Sequence, residues 1–524
     1  MNESTLTLLV FTALLAPLAG SLLSFFLKGN SVRMVAVAAS VVSLLAGLGL
    51  VLGLMGGSTG AHDMLFYFES GWFSTPGWDV KLMLGIDGVS GLMLLLTVIL
   101  FPLIILYPQK KEISQPALYY GMLLLLEVGV IGFFLSLDLL LFYVFFELVL
   151  IPTAFLIGIW GHEERQKAAL KFFLYTLAGS LMMLVGIIYL GINALPEGAS
   201  LTTDYFVIRD SLRSGEVGAF GATAQRWLFW AFAISFAIKV PLFPLHTWQA
   251  LTYSQSNTSG AIVLAALMSK MGAYGFIRMC LPLFPEVSLA YAPLFGLLAL
   301  VSILYGAYLA VVQTDIKRLI AFSSLSHLGF IVMGIFAMTE EAMSGAILQM
   351  FAHGFTTAGL FFIADMMMQR HPSREIADFQ GLAKQAPTLA FVFMITVMAS
   401  VGLPGLSGFV GEFMILVGSF DSGAMTGIYA VLAAIGVILA AVYLLNMFRK
   451  VMFGPDAESK AVSFSDLSRG EVAIMLPLIV LMFWVGLYAT PFLDSINPSA
   501  DGLIQDMQMA LGSLSEGFAK LGLR

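Results

Sequence analysis

The sequence predicts an all-α protein threaded through a membrane about fourteen times, and three observations lead there. Of 524 residues, 59% are hydrophobic and only 11% are charged, with a mean hydropathy of +0.94. A water-soluble fold has no way to cover that much apolar surface. Apolar windows of spanning length follow one another along almost the whole chain. Six ionisable side chains, Glu147, Lys239, Lys270, His327, His353 and Glu412, stand near the middle of such windows.

The windows run over 4–27, 32–55, 86–106, 117–136, 138–160, 168–192, 227–250, 258–280, 289–312, 318–338, 343–369, 387–418, 425–448 and 471–491. Each supplies the ~20 residues that a helix needs to cross a hydrocarbon core about 30 Å thick. The first begins straight after Met1-Asn2-Glu3, without the basic leader of a cleaved signal, so it reads as a span. Loops that follow odd-numbered spans carry 16 Lys and Arg and the other side carries 7, with Lys239 and Lys270 completing the 25. The richer side is expected to be cytoplasmic, which puts both termini on the outer, periplasmic side of a bacterial cytoplasmic membrane. The clusters Arg165/Lys167/Lys171 and Lys317/Arg318 are read as anchors on that side, and His162-Glu163-Glu164 as a solvated loop. One cysteine, Cys280, excludes internal disulfides and leaves no cysteine cluster for iron–sulfur or structural zinc.

A shift of 180 positions aligns two stretches. Glu147 falls on His327, Thr176 on Thr356, and Ala178-Gly179 on Ala358-Gly359. The expected organisation is therefore a three-span segment (1–110), a first five-span repeat of helices 4–8 (111–284), a second of helices 9–13 (285–452), and a last span with a C-terminal tail (453–524). An odd number of spans per unit inverts the two units relative to each other. Lys239-Val-Pro241-Leu-Phe-Pro244 should break the seventh helix, and Gly402-Leu-Pro404-Gly the twelfth, because proline removes an amide donor and clashes with the preceding turn. Paired repeats with interrupted helices mark many secondary transporters.

Each of the six deep groups lies roughly 14–18 Å from the nearer membrane face. A charge there is unfavourable by at least ~2.5–3.5 kcal/mol and usually marks an ion or proton path. Glu147 needs a cation to stay ionised, and Lys239 at the seventh-helix break is the natural partner. Lys270 is too deep to reach either surface. His327 follows Ser323, Ser324 and Ser326, while His353 precedes Thr356 and Thr357, surroundings that suit a hydrated relay. Glu412 would end the path on the outward side. His246, Glu127 and Asp138 are secondary candidates, although Asp138 and Asp315 fit helix N-termini equally well. Driving one proton against roughly 150–200 mV needs about 3.5–4.6 kcal/mol, which forming and breaking one Glu–Lys pair in a low dielectric can supply. No metal site is expected.

These residues resemble the antiporter-like membrane subunits of proton-pumping NADH:quinone oxidoreductase, respiratory complex I, over nearly the whole chain. The most specific strings are Leu137-Asp138 through Glu147 to Pro152, Lys239-Val-Pro-Leu-Phe-Pro-Leu-His246-Thr-Trp248, Lys270-Met-Gly-Ala-Tyr274-Gly, and Gly402-Leu-Pro-Gly-Leu-Ser-Gly-Phe-Val-Gly-Glu412-Phe. A glutamate at the twelfth-helix site, where the L and N branches and the nearest antiporter chain carry lysine, resembles the M branch (chain 4 in mitochondria). Only about thirty residues follow the last predicted span, too few for the lateral helix and extra span of the L branch. The resemblance implies a role in proton translocation driven by quinone reduction elsewhere. In it Glu147 modulates Lys239, Lys270 is the central relay, His327 and His353 continue the axis, and Glu412 is the exit-side site. It further implies no cofactor in this chain, with flavin, iron–sulfur clusters and quinone in partner subunits. The partners it implies are other membrane-arm subunits, further antiporter-like chains among them, and the lipid bilayer, with no nucleic acid.

One stretch departs from the family. After Trp248 the family usually reads Leu-Pro-Asp-Ala-His and, soon after, Ala-Pro, whereas this chain reads Gln249-Ala-Leu251-Thr-Tyr253-Ser-Gln-Ser-Asn257. The carboxylate, second histidine and prolines are missing, which removes the residues that would give this loop a part in proton uptake. Two other readings stay open on sequence alone: a subunit of a related Na⁺/H⁺ antiporter or membrane-bound hydrogenase complex, and a non-pumping structural spacer.

Overall fold

The computed structural model describes residues 2–54, 64–75, 77–108, 113–195, 200–214, 221–453 and 464–520. Among them, twelve helices are long and apolar enough to cross a membrane. The remaining two of the fourteen windows, the seventh and twelfth, are the ones with the expected breaks at Pro241/Pro244 and Pro404. The seventh is split into Ala222–Lys239 and Gln249–Gln255, and the twelfth into Pro387–Val401 and Ser407–Phe420. Gly402 closes the first half of the twelfth in a left-handed conformation (φ 83°), and Gly405 follows at φ 91°, backbone that a side chain strongly disfavours.

Two interruptions were not expected. The fifth span divides at Val149 into Leu139–Leu148 and Leu150–Trp160, since Pro152 has no amide to give the carbonyl of Leu148. The eighth span, Thr258–Leu283, contains two π-helical turns, Val263–Met268 and Phe276–Cys280, on either side of Lys270.

Burial sorts the helices. The eighth and eleventh (Glu340–Arg370) are wholly enclosed over their apolar windows and the tenth (Ile316–Ala337) nearly so, whereas only 33% of the window is covered in the first, second and thirteenth. The three enclosed helices hold Lys270, His353 and His327. The site is therefore central, ringed by helices that face lipid. The ninth and tenth helices meet backbone to backbone at two glycines. A Cβ on Gly329 would lie 2.8 Å from the carbonyl oxygen of Ala299, and one on Gly306 would lie 2.9 Å from the amide of Ser326. Small residues of this kind allow close helix approach where the solvent is lipid.

The helical bundle carries one addition that the hydropathy windows leave as loop. Strands Phe66–Thr75 and Trp78–Ile86 form an antiparallel hairpin, joined in parallel by Leu201–Thr202. Its rim is polar, with Lys81 Nζ 2.7 Å from Glu69 and 3.4 Å from Asp204, and its end is apolar, with Leu84 and Ile86 buried. The expected C-terminal tail is a further helix, Thr490–Lys520. It crosses the same face, from Ser499, whose hydroxyl accepts the Gly88 amide at 3.0 Å, to Asp506, 3.5 Å from Arg213. We call this the hairpin face and the opposite, lysine- and arginine-rich one the basic face.

Replacing Gly329 by valine should force the ninth and tenth helices apart and destabilise the fold by about 1–3 kcal/mol. Thermal unfolding in detergent should show a lowered midpoint.

Candidate functional site

Five of the six deep groups are enclosed: Lys239, Lys270, His327, His353 and Glu412 are each no more than 3% exposed. Four of them form a line. Lys270 Nζ lies 2.6 Å from Nδ1 of His353 and donates to the carbonyl oxygen of Ala265 at 2.7 Å. Ser269 donates to that same carbonyl at 2.8 Å. The Ala265 carbonyl belongs to the first π-turn, a geometry that recurs at functional positions. Nε2 of His353 lies 3.1 Å from the hydroxyl of Thr357, one turn along the helix. With the ammonium donating to Nδ1, the remaining ring hydrogen sits on Nε2 and points at Thr357.

The next step is across rings. His327 and His353 stand 5.7 Å apart, centroid to centroid, tilted by 48°. Nδ1 of His327 is 2.6 Å from Oε1 of Glu412, which also accepts from Gln349 Nε2 at 2.9 Å. Nε2 of His327 and Oε1 of Gln349 are buried without a protein partner. Buried polar atoms left in this state are normally met by water. The twelfth-helix break brings its backbone against the carboxylate, since Gly402 faces Glu412 Oε2. Beyond it, Tyr443 and Ser323 share a hydrogen bond at 2.9 Å.

Glu147 and Lys239 form a second, looser centre. Glu147 is half-buried, with the Ser180 hydroxyl and the Lys239 charge as the polar groups facing it. The two do not touch: no ion pair within 4.0 Å joins them among the described residues. The ammonium of Lys239 instead lies 4.5 Å from the ring centre of Phe146, the neighbour of Glu147. A cation over an aromatic face keeps part of its stabilisation while its carboxylate partner stays at a distance.

The secondary candidates lie off this line. His246 is stacked 5.5 Å from Phe243 and meets Tyr305 edge-to-face at 5.4 Å, with Nδ1 lacking a protein partner. Glu127 is fully enclosed with both oxygens unpartnered, and Ser43 of the second helix is its polar neighbour. Asp138 caps the fifth helix, accepting the amides of Leu140 and Leu141 at 2.9 Å and the Thr203 hydroxyl at 2.6 Å. Asp315 caps the tenth through the Arg318 amide at 3.0 Å.

Two surface assignments are corrected. Lys317 is no surface anchor: it is 0% exposed, with Nζ 3.2 Å from Nε2 of His162 and 3.2 Å from the carbonyl of Ser256. Glu163 and Glu164 are exposed as expected, while His162, read as part of the same solvated loop, is half-buried against Lys317. Burial, then the charges of Lys317 and Arg374, push its pKa down to about 4. Sequence reasoning also missed Gln349 and Ser269. Gln349 sits one turn before His353, so helical spacing could have flagged it, but a neutral amide carries no strong depth penalty to draw attention.

The matched family model is the transmembrane family of NADH:quinone oxidoreductase and Mrp antiporters, over residues 136–438. This chain belongs to that family. It is 40% identical over 491 residues to NADH-quinone oxidoreductase subunit M of Rhodobacter capsulatus, covering 94% of each chain. Among solved structures it is similar to a chain of respiratory complex I from Thermus thermophilus, with a TM-score of 0.83 and 32% identity, covering 95% of this chain and 99% of that one. A chain of the Mrp complex from Dietzia shares the fold, with a TM-score of 0.78 at 22% identity and 96% and 99% coverage. Within the family the chain groups with the subunit M branch, as an integral membrane subunit of NADH-quinone oxidoreductase.

Because His162 is neutral in the folded protein and titrates near 6.5 when unfolded, its burial adds stability that is present at neutral pH. That stability is lost as pH falls from about 6.5 through about 4. Melting curves at pH 7.5 and 5 should converge for His162→Gln relative to the parent, which should lose more on acidification.

Proposed function

We propose that this chain translocates protons across the bacterial cytoplasmic membrane through Lys270, His353, His327 and Glu412, as one pumping unit of a quinone-reducing complex I. The observation that carries the reading is the run of titrating nitrogens and oxygen from Lys270 to Glu412 inside otherwise apolar helices, with contacts of 2.6 Å at each end and one gap between the two imidazoles. The loops' positive charge orients the basic face toward the cytoplasm and both termini outward.

Lys270 and His353 are two bases around one proton. With the lysine protonated, its ammonium donates to the imidazole. Transfer to Nδ1 leaves a neutral amine and an imidazolium. His327 then receives the proton through solvent, since no hydrogen bond joins the two imidazoles among the described residues while Nε2 of His327 is buried without a protein partner. Glu412 stabilises the cation that forms on His327, because a carboxylate at hydrogen-bond distance favours the charged imidazole. Gln349 holds the carboxylate in place.

Glu147 and Lys239 set the energy of this line. As the carboxylate approaches, Lys239 retains its proton; as it withdraws, an uncompensated ammonium beside Phe146 becomes unfavourable and the proton moves on. The separation of the two groups supports the second of these arrangements as accessible to the chain. Quinone reduction in partner subunits drives the change, and flavin, clusters and quinone belong to those subunits. The neighbours of this chain are further antiporter-like membrane-arm chains.

In inverted vesicles holding the assembled complex, Lys270→Ala should abolish most NADH-driven proton uptake, read by quenching of an acidification dye. Electron transfer measured with an ionophore should persist better than uptake. Uptake at the parental rate with normal assembly would refute the relay. Glu412→Gln should likewise fail while Glu412→Asp retains partial uptake, because only a carboxylate stabilises the His327 cation.

A further inference from the structure

Where the third helix (Gly88–Leu106) leaves the hairpin, it packs tightly at first and then draws back. A Cβ on Gly88 would lie 1.8 Å from the carbonyl oxygen of Ser495 in the C-terminal helix, so the two backbones touch there. One turn deeper, a Cβ on Gly91 would meet only Ile86 Cγ2, at 3.5 Å. The space that opens at this level is a cavity of about 180 Å³. Four helices supply most of its wall: Leu48 from the second, Leu95 and Ile99 from the third, Leu481 from the fourteenth (Arg469–Leu487) and Phe492 from the C-terminal helix.

Polar side chains stand only at the mouth, and both are engaged. Asp87 accepts the Ser90 amide at 2.9 Å and pairs with Arg278. The Ser495 hydroxyl donates to the Pro491 carbonyl at 3.1 Å. A water needs several polar partners to reside in such a space, so the interior suits an apolar occupant. Its dimensions fit one in particular. From Gly88 to Ile99 the helix rises roughly 16 Å, and the chains of one leaflet reach about 15 Å, half of the hydrocarbon core. The cavity is also continuous with the lipid-facing surface, because Leu52 and Trp484 both line it and are 68% and 47% exposed. A tryptophan one turn from the helix end is a usual side chain at the boundary between lipid and water.

We propose that this cavity is a lipid site, taking one acyl chain of a phospholipid from the leaflet at the hairpin face while the headgroup stays outside, level with Trp484. The chain supplies the aliphatic wall with dispersion contacts and so backs the helix that carries His353. Phe492 stands 5.6 Å from Phe351 of that helix, ring centre to ring centre. Leu96 of the third helix packs against its Gly354, where a Cβ would lie 2.5 Å from Leu96 Cδ2.

The test uses the assembled complex in phosphatidylcholine vesicles that contain a small fraction of the same lipid with a diazirine midway along one chain. After illumination, peptide mass spectrometry should find lipid attached to third-helix residues 92–99. Leu94 and Leu95 are 0% and 9% exposed, out of reach of a lipid that only coats the surface. Gly91→Leu, whose Cβ has room, and separately Leu95→Phe fill the cavity. Each should lose most of the third-helix adducts while those on the exposed Leu45 and Leu487 persist. Adducts confined to exposed positions in the parent would overturn the proposal, since no chain then enters. Third-helix adducts undiminished in either filled variant would overturn it too, by placing the chain elsewhere.

Discussion

The contact between Lys270 and His353 is the constraint on which the rest of the architecture turns. Two bases 2.6 Å apart in a fully enclosed site cannot both be charged without severe repulsion in a medium that screens poorly. At most one of them carries charge, so the pair is sensitive to any change in nearby charge. Every larger feature of the chain keeps that pair enclosed and aligned. The eighth, tenth and eleventh helices are buried on all sides, and the exposed helices form a sleeve around them.

Irregular backbone is concentrated around the site. The seventh and twelfth helices are interrupted beside Lys239 and before Glu412, and the eighth has a π-turn on each side of its lysine. Freed carbonyls at such depth are tolerated only where protein or water satisfies them. Here the Ala265 carbonyl receives both the Ser269 hydroxyl and the Lys270 ammonium. The distortion that weakens the helix thus makes an acceptor for the charge.

Much of this was legible in the chain. Clustered proline and glycine marked both broken helices, because two or three such residues within one turn leave it without a ladder, whereas the single Pro17, Pro102, Pro293 and Pro477 stay inside continuous helices. Depth in an apolar window marked Lys270, His353, His327 and Glu412, because charge in hydrocarbon is unfavourable wherever the partner lies. What depends on tertiary neighbours was not legible. The Glu147–Lys239 pairing, inferred from shared depth, is no direct ion pair among the described residues: the charges act on each other without touching, and the ammonium lies over Phe146. Lys317 looked like a loop anchor until the loop beside it closed over it. The hairpin lies in a segment whose short alternating strands hydropathy averages away.

The π-turns carry a consequence for how the eighth helix can vary. Each accommodates an extra residue within an otherwise α-helical spiral. Removing a single residue between Val263 and Met268 would let that turn close as ordinary α-helix and return the Ala265 carbonyl to the helix ladder, taking it from the Ser269 hydroxyl and the Lys270 amine. Side chains along this stretch can be exchanged one for another, but a one-residue deletion would strip the lysine of its backbone acceptor even if every named side chain survived.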